Sequence, residues 1–223
     1  MGTARNEGHV AFGTLMAKPV SPNVLTDNQL ARRQRVIDAG LTLLKRRDYE
    51  SIQVKDVSEE AGVALGTVYH YFSSKEHIFA EVLVKWAATL RTSITRRPLA
   101  GDSPQAKLTE ALHRSVRAFQ RQPQLARLVA SLQLSADPFA AEILGRMDSA
   151  TTGIYLELLE GVEPEVARRI VRTAEAVLDS SLRAWSAGRL SINELYDHLT
   201  EAVALLFGPE PVGASEVSRG ATA

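Results

Sequence analysis

Val54-Lys-Asp-Val-Ser-Glu-Glu-Ala-Gly62-Val-Ala-Leu-Gly-Thr67-Val-Tyr69-His70-Tyr71-Phe72-Ser-Ser-Lys75 is the stretch that decides the fold. A short helical pattern runs into Ala61-Gly62-Val63, and a second one opens almost at once. Val57, Ala61, Val63 and Val68 fall where two steeply crossing helices must bury apolar contacts. Gly62 sits at the turn between them, where a backbone with positive φ is most easily accepted. This is the pattern of a helix-turn-helix, whose second helix can lie in the major groove of DNA. On that second helix Val68 and Phe72 are four apart and face inward. Thr67, Tyr69, His70 and Tyr71 are left for other faces, where hydroxyls and rings can meet phosphates, sugars and base edges. Leu65 and Gly66 open the helix, and the missing side chain at Gly66 permits close approach to a groove floor. Lys75 lies in the first turn of the next helix, where its ammonium and the positive helix end together favour a phosphate.

Composition bounds the remaining classes. A chain of 223 residues with 45% hydrophobic content can bury a sizeable core in one or two domains. The absence of cysteine excludes a disulfide framework, thiolate metal sites and thiol nucleophiles. The sequence has no apolar run long enough to span a membrane and no signal-peptide core near its start, so a cytoplasmic location is expected. Basic and acidic side chains balance at 26 each, and residues 27–80 hold 8 Lys/Arg against 8 Asp/Glu. That neutrality weighs against a strong nonspecific polyelectrolyte attraction to DNA. Placement is uneven, however: Arg32, Arg33 and Arg35 cluster early in the first helix, and Lys45-Arg46-Arg47 at its end.

Between tails expected to be mobile at 1–25 and 209–223, the chain reads as all-α. About nine helices are expected: three short ones before Ser74, a long connector over 76–96, and five more. Thr26-Asp27 caps the first, with Val36, Ile37, Leu41 and Leu44 on its apolar stripe. Ser73 and Glu76 have the spacing of a capping box, as do Ser191 and Glu194. Pro104, Pro123, Pro138 and Pro164 each stand where a first helical turn tolerates proline. Gly188 and Gly208 follow helix ends. These signals divide the chain into a DNA-reading module, 26–74, and a larger module, 75–208.

The run Ala61-Gly62-Val63-Ala64-Leu65-Gly66-Thr67-Val68-Tyr69-His70-Tyr71-Phe72-Ser73-Ser74-Lys75-Glu76 resembles the signature of TetR-family transcriptional regulators. The resemblance covers the first three helices and the start of the fourth. Carried over by position, it implies that Thr67, Tyr69 and His70 touch bases or nearby phosphates, and that Tyr71 and Lys75 grip the DNA backbone. Gln53 stands where the family often has a threonine capping the second helix; it and Lys55 join the expected DNA-binding set.

The resemblance also implies a homodimer on double-stranded operator DNA, with the last two helices forming a four-helix interface with their mates. Two apolar stripes agree with it: Ala174, Val177, Leu178, Leu182 and Trp185, then Ile192, Leu195, Leu199, Val203 and Leu206. Middle helices of the family surround an apolar effector cavity. Trp86, Leu90, Phe119, Leu128, Leu132, Phe139, Ile143, Met147 and Tyr155 are the candidate lining residues, with Arg114, Arg117 and Arg127 as possible partners of an acidic ligand. Gln53, the run 63–72 and Leu182-Arg-Ala-Trp185 are similar to the branch that represses cholesterol catabolism in actinobacteria. That similarity implies a steroid- or acyl-type acid, or its coenzyme A thioester, as effector. No cofactor and no catalytic group is expected. Two rivals remain at this stage: an all-helical metal-dependent enzyme using His70, Glu76 and His77, and a helical adaptor without DNA binding.

Overall fold

The computed structural model describes residues 19–95 and 97–208, with nine α-helices and no strand among them. They are α1 (Asp27–Leu44), α2 (Val54–Ala61), α3 (Leu65–Tyr71), α4 (Lys75–Thr95), α5 (Pro104–Arg121), α6 (Pro123–Leu132), α7 (Pro138–Glu157), α8 (Pro164–Ser186) and α9 (Ile192–Phe207). Single 3-10 turns lie at Pro22–Val24 and Tyr49–Ser51. None of these helices is long and apolar enough to cross a membrane.

Local chemistry sets the boundaries where the sequence said it would. All four prolines occupy the first helical turn of α5, α6, α7 and α8. The Ser191 hydroxyl accepts from Glu194 N–H while the Glu194 carboxylate accepts from Ser191 N–H at 2.7 Å, a reciprocal cap on α9. The expected box at Ser73 does not form. Ser74 is the residue that accepts from His77 N–H, at 3.0 Å. Ser73 is drawn away by a distant partner: its hydroxyl donates to Asp137 at 2.8 Å. No local rule could reveal that contact.

The N-terminal expectation also changes. Residues 1–18 of the presumed tail, and all of 209–223, lie outside the described residues. Residues 19 and 20 are anchored, with Pro19 buried and Val20 N–H donating to His70 O at 3.2 Å, and Leu25 packs against the core, while residues 21–24 between them are exposed. The chain thus enters the fold beside the end of α3.

Helix α4 is the spine. It packs on α1 on the DNA-module side and on α5, α6 and α7 elsewhere, while α9 lies against α5 and α8. The α1–α4 crossing is tight because α1 offers Gly40: a Cβ there would stand 3.0 Å from Val82 Cγ2. One buried apolar core runs without a break from Val36 and Phe72 through Phe79 and Leu83 to Leu112, Leu128 and Val203. The buried Arg33–Glu81 pair and the Ser73–His77–Asp137 contacts lie beside this continuous core at the junction of the two modules.

Candidate DNA-reading surface and effector cavity

Gly62 holds α2 and α3 at their angle. Its φ of 62° and ψ of 40° are left-handed, Val63 N–H donates to Ser58 O and Gly62 N–H to Glu59 O. These bonds satisfy two carbonyls that the helix end would otherwise leave open. At the other end of α2, Asp56 accepts from Gln53 N–H at 2.7 Å, so the carboxylate does the capping that Gln53 itself does poorly. That backbone bond, ahead of the neighbouring Arg47, holds the Asp56 carboxyl below its usual range.

Helix α3 divides cleanly. Val68, Tyr71 and Phe72 are 0%, 2% and 0% exposed and face the core. Leu65, Gly66, Tyr69 and His70 are exposed, and Thr67 is half-buried at the edge of the same face. Tyr71 therefore cannot grip a phosphate, contrary to the reading from sequence. It completes an i, i+3, i+4 stripe with Val68 and Phe72, a spacing that outweighs its polar hydroxyl. Gln53 and Lys55 are exposed at the start of α2, with Lys55 3.7 Å from Glu59.

Lys75 is the second departure. Its ammonium donates to Tyr49 O at 2.6 Å and lies 4.0 Å over the Tyr49 ring. Burial lowers its pKa, against nearby acids that raise it. The cation is tied to carbonyls of the 49–51 turn and not presented beside α3. Several other cations of this module are paired as well: Arg33 with Glu81, Arg46 with Glu60, Arg47 with Asp56.

Where α3 ends, a polar clasp joins the reading module to α7. Ser73 N–H donates to His77 Nδ1 at 3.2 Å, and the imidazole stacks on Phe139 with centroids 5.3 Å apart. Burial lowers the His77 pKa, so the ring is neutral near pH 7. Asp137 receives the Ser73 hydroxyl and also caps α7, accepting from Phe139 N–H and Ala140 N–H at 2.9 Å each. Burial works to raise the Asp137 pKa, but the Ala140 N–H and the Ser74 and Ser73 hydroxyls outweigh it and hold it low. A depressed folded-state pKa gives stability that is present above about pH 4 and lost as pH falls through the folded value. Asp137→Asn is expected to destabilise the protein by about 1 kcal/mol at pH 7, the scale of a weakened cap, and to flatten its acid sensitivity in thermal melts between about pH 5 and 3.

Behind this clasp, α4, α5, α6, α7 and α8 line a partly open cavity of about 330 Å³. Of the expected lining set, Trp86, Leu90, Phe119, Met147 and Tyr155 face it. Trp86 and Phe119 form its aromatic wall, centroids 4.7 Å apart. Ile143 lines a second hollow of about 430 Å³ between α4 and α7 that shares Leu90 and Met147 with the first. Leu128 and Leu132 line neither and are core residues, 0% and 1% exposed, while Phe139 is taken by His77. The arginines considered for an acidic ligand are engaged elsewhere. Arg114 binds Glu110 and the carbonyls of Ile94, Arg97 and Pro98; Arg117 binds Glu110; Arg127 binds Asp48 at 2.6 Å. What the sequence reading missed is the carboxylates Asp148, Glu175 and Asp179, all in the lining. A signal existed: Glu175 and Asp179 are like charges at i, i+4 on one helix, an arrangement that costs stability unless something uses it.

The dimer stripe also needs correcting. Leu195, Leu199 and Val203 are each 0% exposed within one chain, because this face of α9 packs on α5 and α8. Leu178 and Leu182 line the cavity, and Trp185 is half-buried against the core. The outward face carries Thr173 and Ser180 on α8 and, on α9, Ala204 and Leu205, the last 82% exposed. The metal-enzyme rival loses its site: His70 is exposed on α3, His77 is buried, and the described residues contain no His/Cys/Asp/Glu group able to hold a metal.

Comparison with known proteins agrees with this architecture. Residues 36–82 match the family of bacterial regulatory proteins of the tetR family, and residues 101–206 match the tetracyclin repressor-like C-terminal domain. The chain is 32% identical over 186 residues to the HTH-type transcriptional repressor KstR of Mycolicibacterium smegmatis, covering 83% of this chain and 91% of that one. It is 30% identical over 200 residues to KstR of Rhodococcus jostii, covering 89% and 92%. A TetR transcriptional regulator from Rhodococcus sp. RHA1 superposes with a TM-score of 0.71 at 26% identity, over 81% of this chain and 97% of that one. A reading head presented by α3, a helical module behind it and relatives of this kind along most of its length make the chain a member of the TetR family of transcriptional repressors, and not an enzyme.

Proposed function

We propose that this repressor binds a palindromic operator as a homodimer and leaves it when a small apolar effector of steroid or acyl type fills the cavity behind α4. Residues 26–74 read DNA, and residues 75–208 hold the effector and the partner subunit. The work is done in the cytoplasm, where the chromosome is. One observation carries the reading: α3 exposes Leu65, Gly66, Tyr69 and His70 as one face while Val68 and Phe72 fix it to the core that also walls the cavity. Thr67, Tyr69 and His70 then meet base edges or nearby phosphates, with Gln53 and Lys55 on the flanking backbone. An effector ejects the protein only by binding the non-operator conformation more tightly; a tenfold preference supplies about 1.4 kcal/mol per site. The clasp of Asp137 on Ser73 supports such coupling, since α7 lines the cavity and its first turn is bonded to the end of the reading module.

The test is fluorescence anisotropy on labelled DNA from upstream of the protein's own gene. Tyr69→Ala and His70→Ala are each expected to weaken operator binding about tenfold or more, the scale of one lost specific contact, with unchanged melting temperature. Wild-type affinity in both would discard the assignment of α3.

The homodimer is expected to close through the outward faces of α8 and α9, where two-fold symmetry doubles each contact. Leu205→Glu should place two carboxylates near each other in that interface. The expected result is a monomer by light scattering and at least a hundredfold loss of operator affinity, since two half-sites are no longer read together. A Leu205→Glu dimer with full affinity would move the interface elsewhere.

A further inference from the structure

The polar atoms of the α4–α8 cavity nearly all accept hydrogen bonds, and this constrains what can enter it. At the floor, the fully buried Ser115 hydroxyl donates to Ala111 O at 3.1 Å and lies 2.8 Å from the Tyr155 hydroxyl. If the serine proton is committed to the helix, the phenol donates to Ser115 and the Tyr155 oxygen turns only lone pairs to the cavity. Burial pushes the Tyr155 pKa up to about 12, so the phenol keeps its proton. Along the wall, Thr151 spends its hydroxyl proton on Met147 O at 3.0 Å, and Glu175 accepts from Thr152, which lies outside the lining, at 2.9 Å. At the mouth, Gln133 directs its amide N–H to Asp179 at 3.0 Å and its carbonyl oxygen to Arg183. Against these acceptors the lining side chains offer the indole N–H of Trp86 and the second amide N–H of Gln133. No lining residue is cationic, and Arg183 pairs with Asp179 from outside the lining, which leaves Asp148 and Glu175 as the lining carboxylates without a cation among the described residues.

The carboxylates reinforce the asymmetry. Burial first, and then the charge of Asp179, raises the pKa of Asp148; burial raises that of Glu175 against the Thr152 hydrogen bond, with the charge of Asp148 adding to the rise. Acceptors that repel one another are stabilised when a donor is placed among them.

We propose that the effector enters this cavity head first with a hydrogen-bond-donating group, an alcohol or a protonated amine, on an apolar body. A carboxylate or a keto head is disfavoured at the same position, because it brings more lone pairs to a site already full of them. Any acidic or thioester end of the molecule then points out of the cavity. The inference rests on the reading of this cavity as the effector site and adds the chemistry of the group it recognises.

The test uses full-length protein and a series with one chain length: decylamine, decanol and decanoate. Binding is followed by quenching of Trp86 fluorescence in a Trp185→Phe background, with thermal shift as a second measurement. Decylamine and decanol are expected to bind at least tenfold more tightly than decanoate at pH 7. In the Asp148→Asn/Glu175→Gln variant the amine should lose most of that advantage and decanoate should gain. Decanoate binding as tightly as decylamine, or a preference untouched by the double substitution, overturns the head-group assignment while leaving the cavity as a binding site. No quenching by any of the three overturns the inference together with the reading of the cavity.

Discussion

Phe72→Ala is expected to destabilise the protein by about 3–5 kcal/mol and to abolish operator binding, although residue 72 touches no DNA. Phe72 is fully buried at the residue that ends α3, with its N–H on Val68 O at 2.9 Å. Its ring meets His77 edge-on at 5.2 Å and carries the Arg33 guanidinium 5.0 Å above its face. Three elements therefore converge on one side chain: the end of the reading helix, α1 through Arg33 and α4 through His77. Alanine leaves a void that α1 and α4 cannot close without moving α3. Against a total stability of about 5–15 kcal/mol the loss is large, and thermal melts should show a drop of roughly 8–15 °C. Phe72→Leu keeps most of the volume and should retain measurable operator binding. An alanine variant with native affinity and an undisturbed melt would show that α3 is held by something other than this ring.

The second large effect is at the ion pair between Arg33 on α1 and Glu81 on α4. Their side chains are 10% and 18% exposed, and the Arg33 Nε has no hydrogen-bond partner. Breaking such a pair from one side strands a charge in a poorly solvated place, so Glu81→Ala should cost about 3 kcal/mol in urea or thermal unfolding. Replacing both partners with apolar side chains of similar bulk, Arg33→Met with Glu81→Leu, should restore most of that loss, because desolvation of the charges disappears with them. If the double substitution is as damaging as the single one, the pair contributes attraction beyond what the core could supply without it.

The parts of this molecule that sequence made legible are those governed by near neighbours in the chain. Proline at the first helical turn, glycine in the left-handed turn at 62 and the serine–glutamate box on α9 act within a few residues. Their effects could be read directly. The misread positions are those decided by partners far along the chain. Ser73 looked like a cap and instead donates to Asp137; Lys75 looked like a phosphate grip and is held by the 49–51 turn. The α9 stripe shows a different kind of ambiguity. A periodic row of leucines says that a face is buried but not whether the burying surface belongs to the same chain, and here α5 and α8 cover it. In the cavity, apolar walls were partly foreseen, whereas nothing in the local pattern singles out Asp148, Glu175 and Asp179, since charges on long helices are usually solvated.

The bare Cα of Gly40, set against Val82, has a mechanical corollary. With no side chain to act as a cushion, α1 sits directly on α4, so under the proposed mechanism a tilt of α4 would carry α1 with it toward the groove. Gly40→Ala would wedge that joint apart by a few tenths of an ångström. The price would be backlash: a sensor that still fills and empties, driving a reading head that no longer follows it.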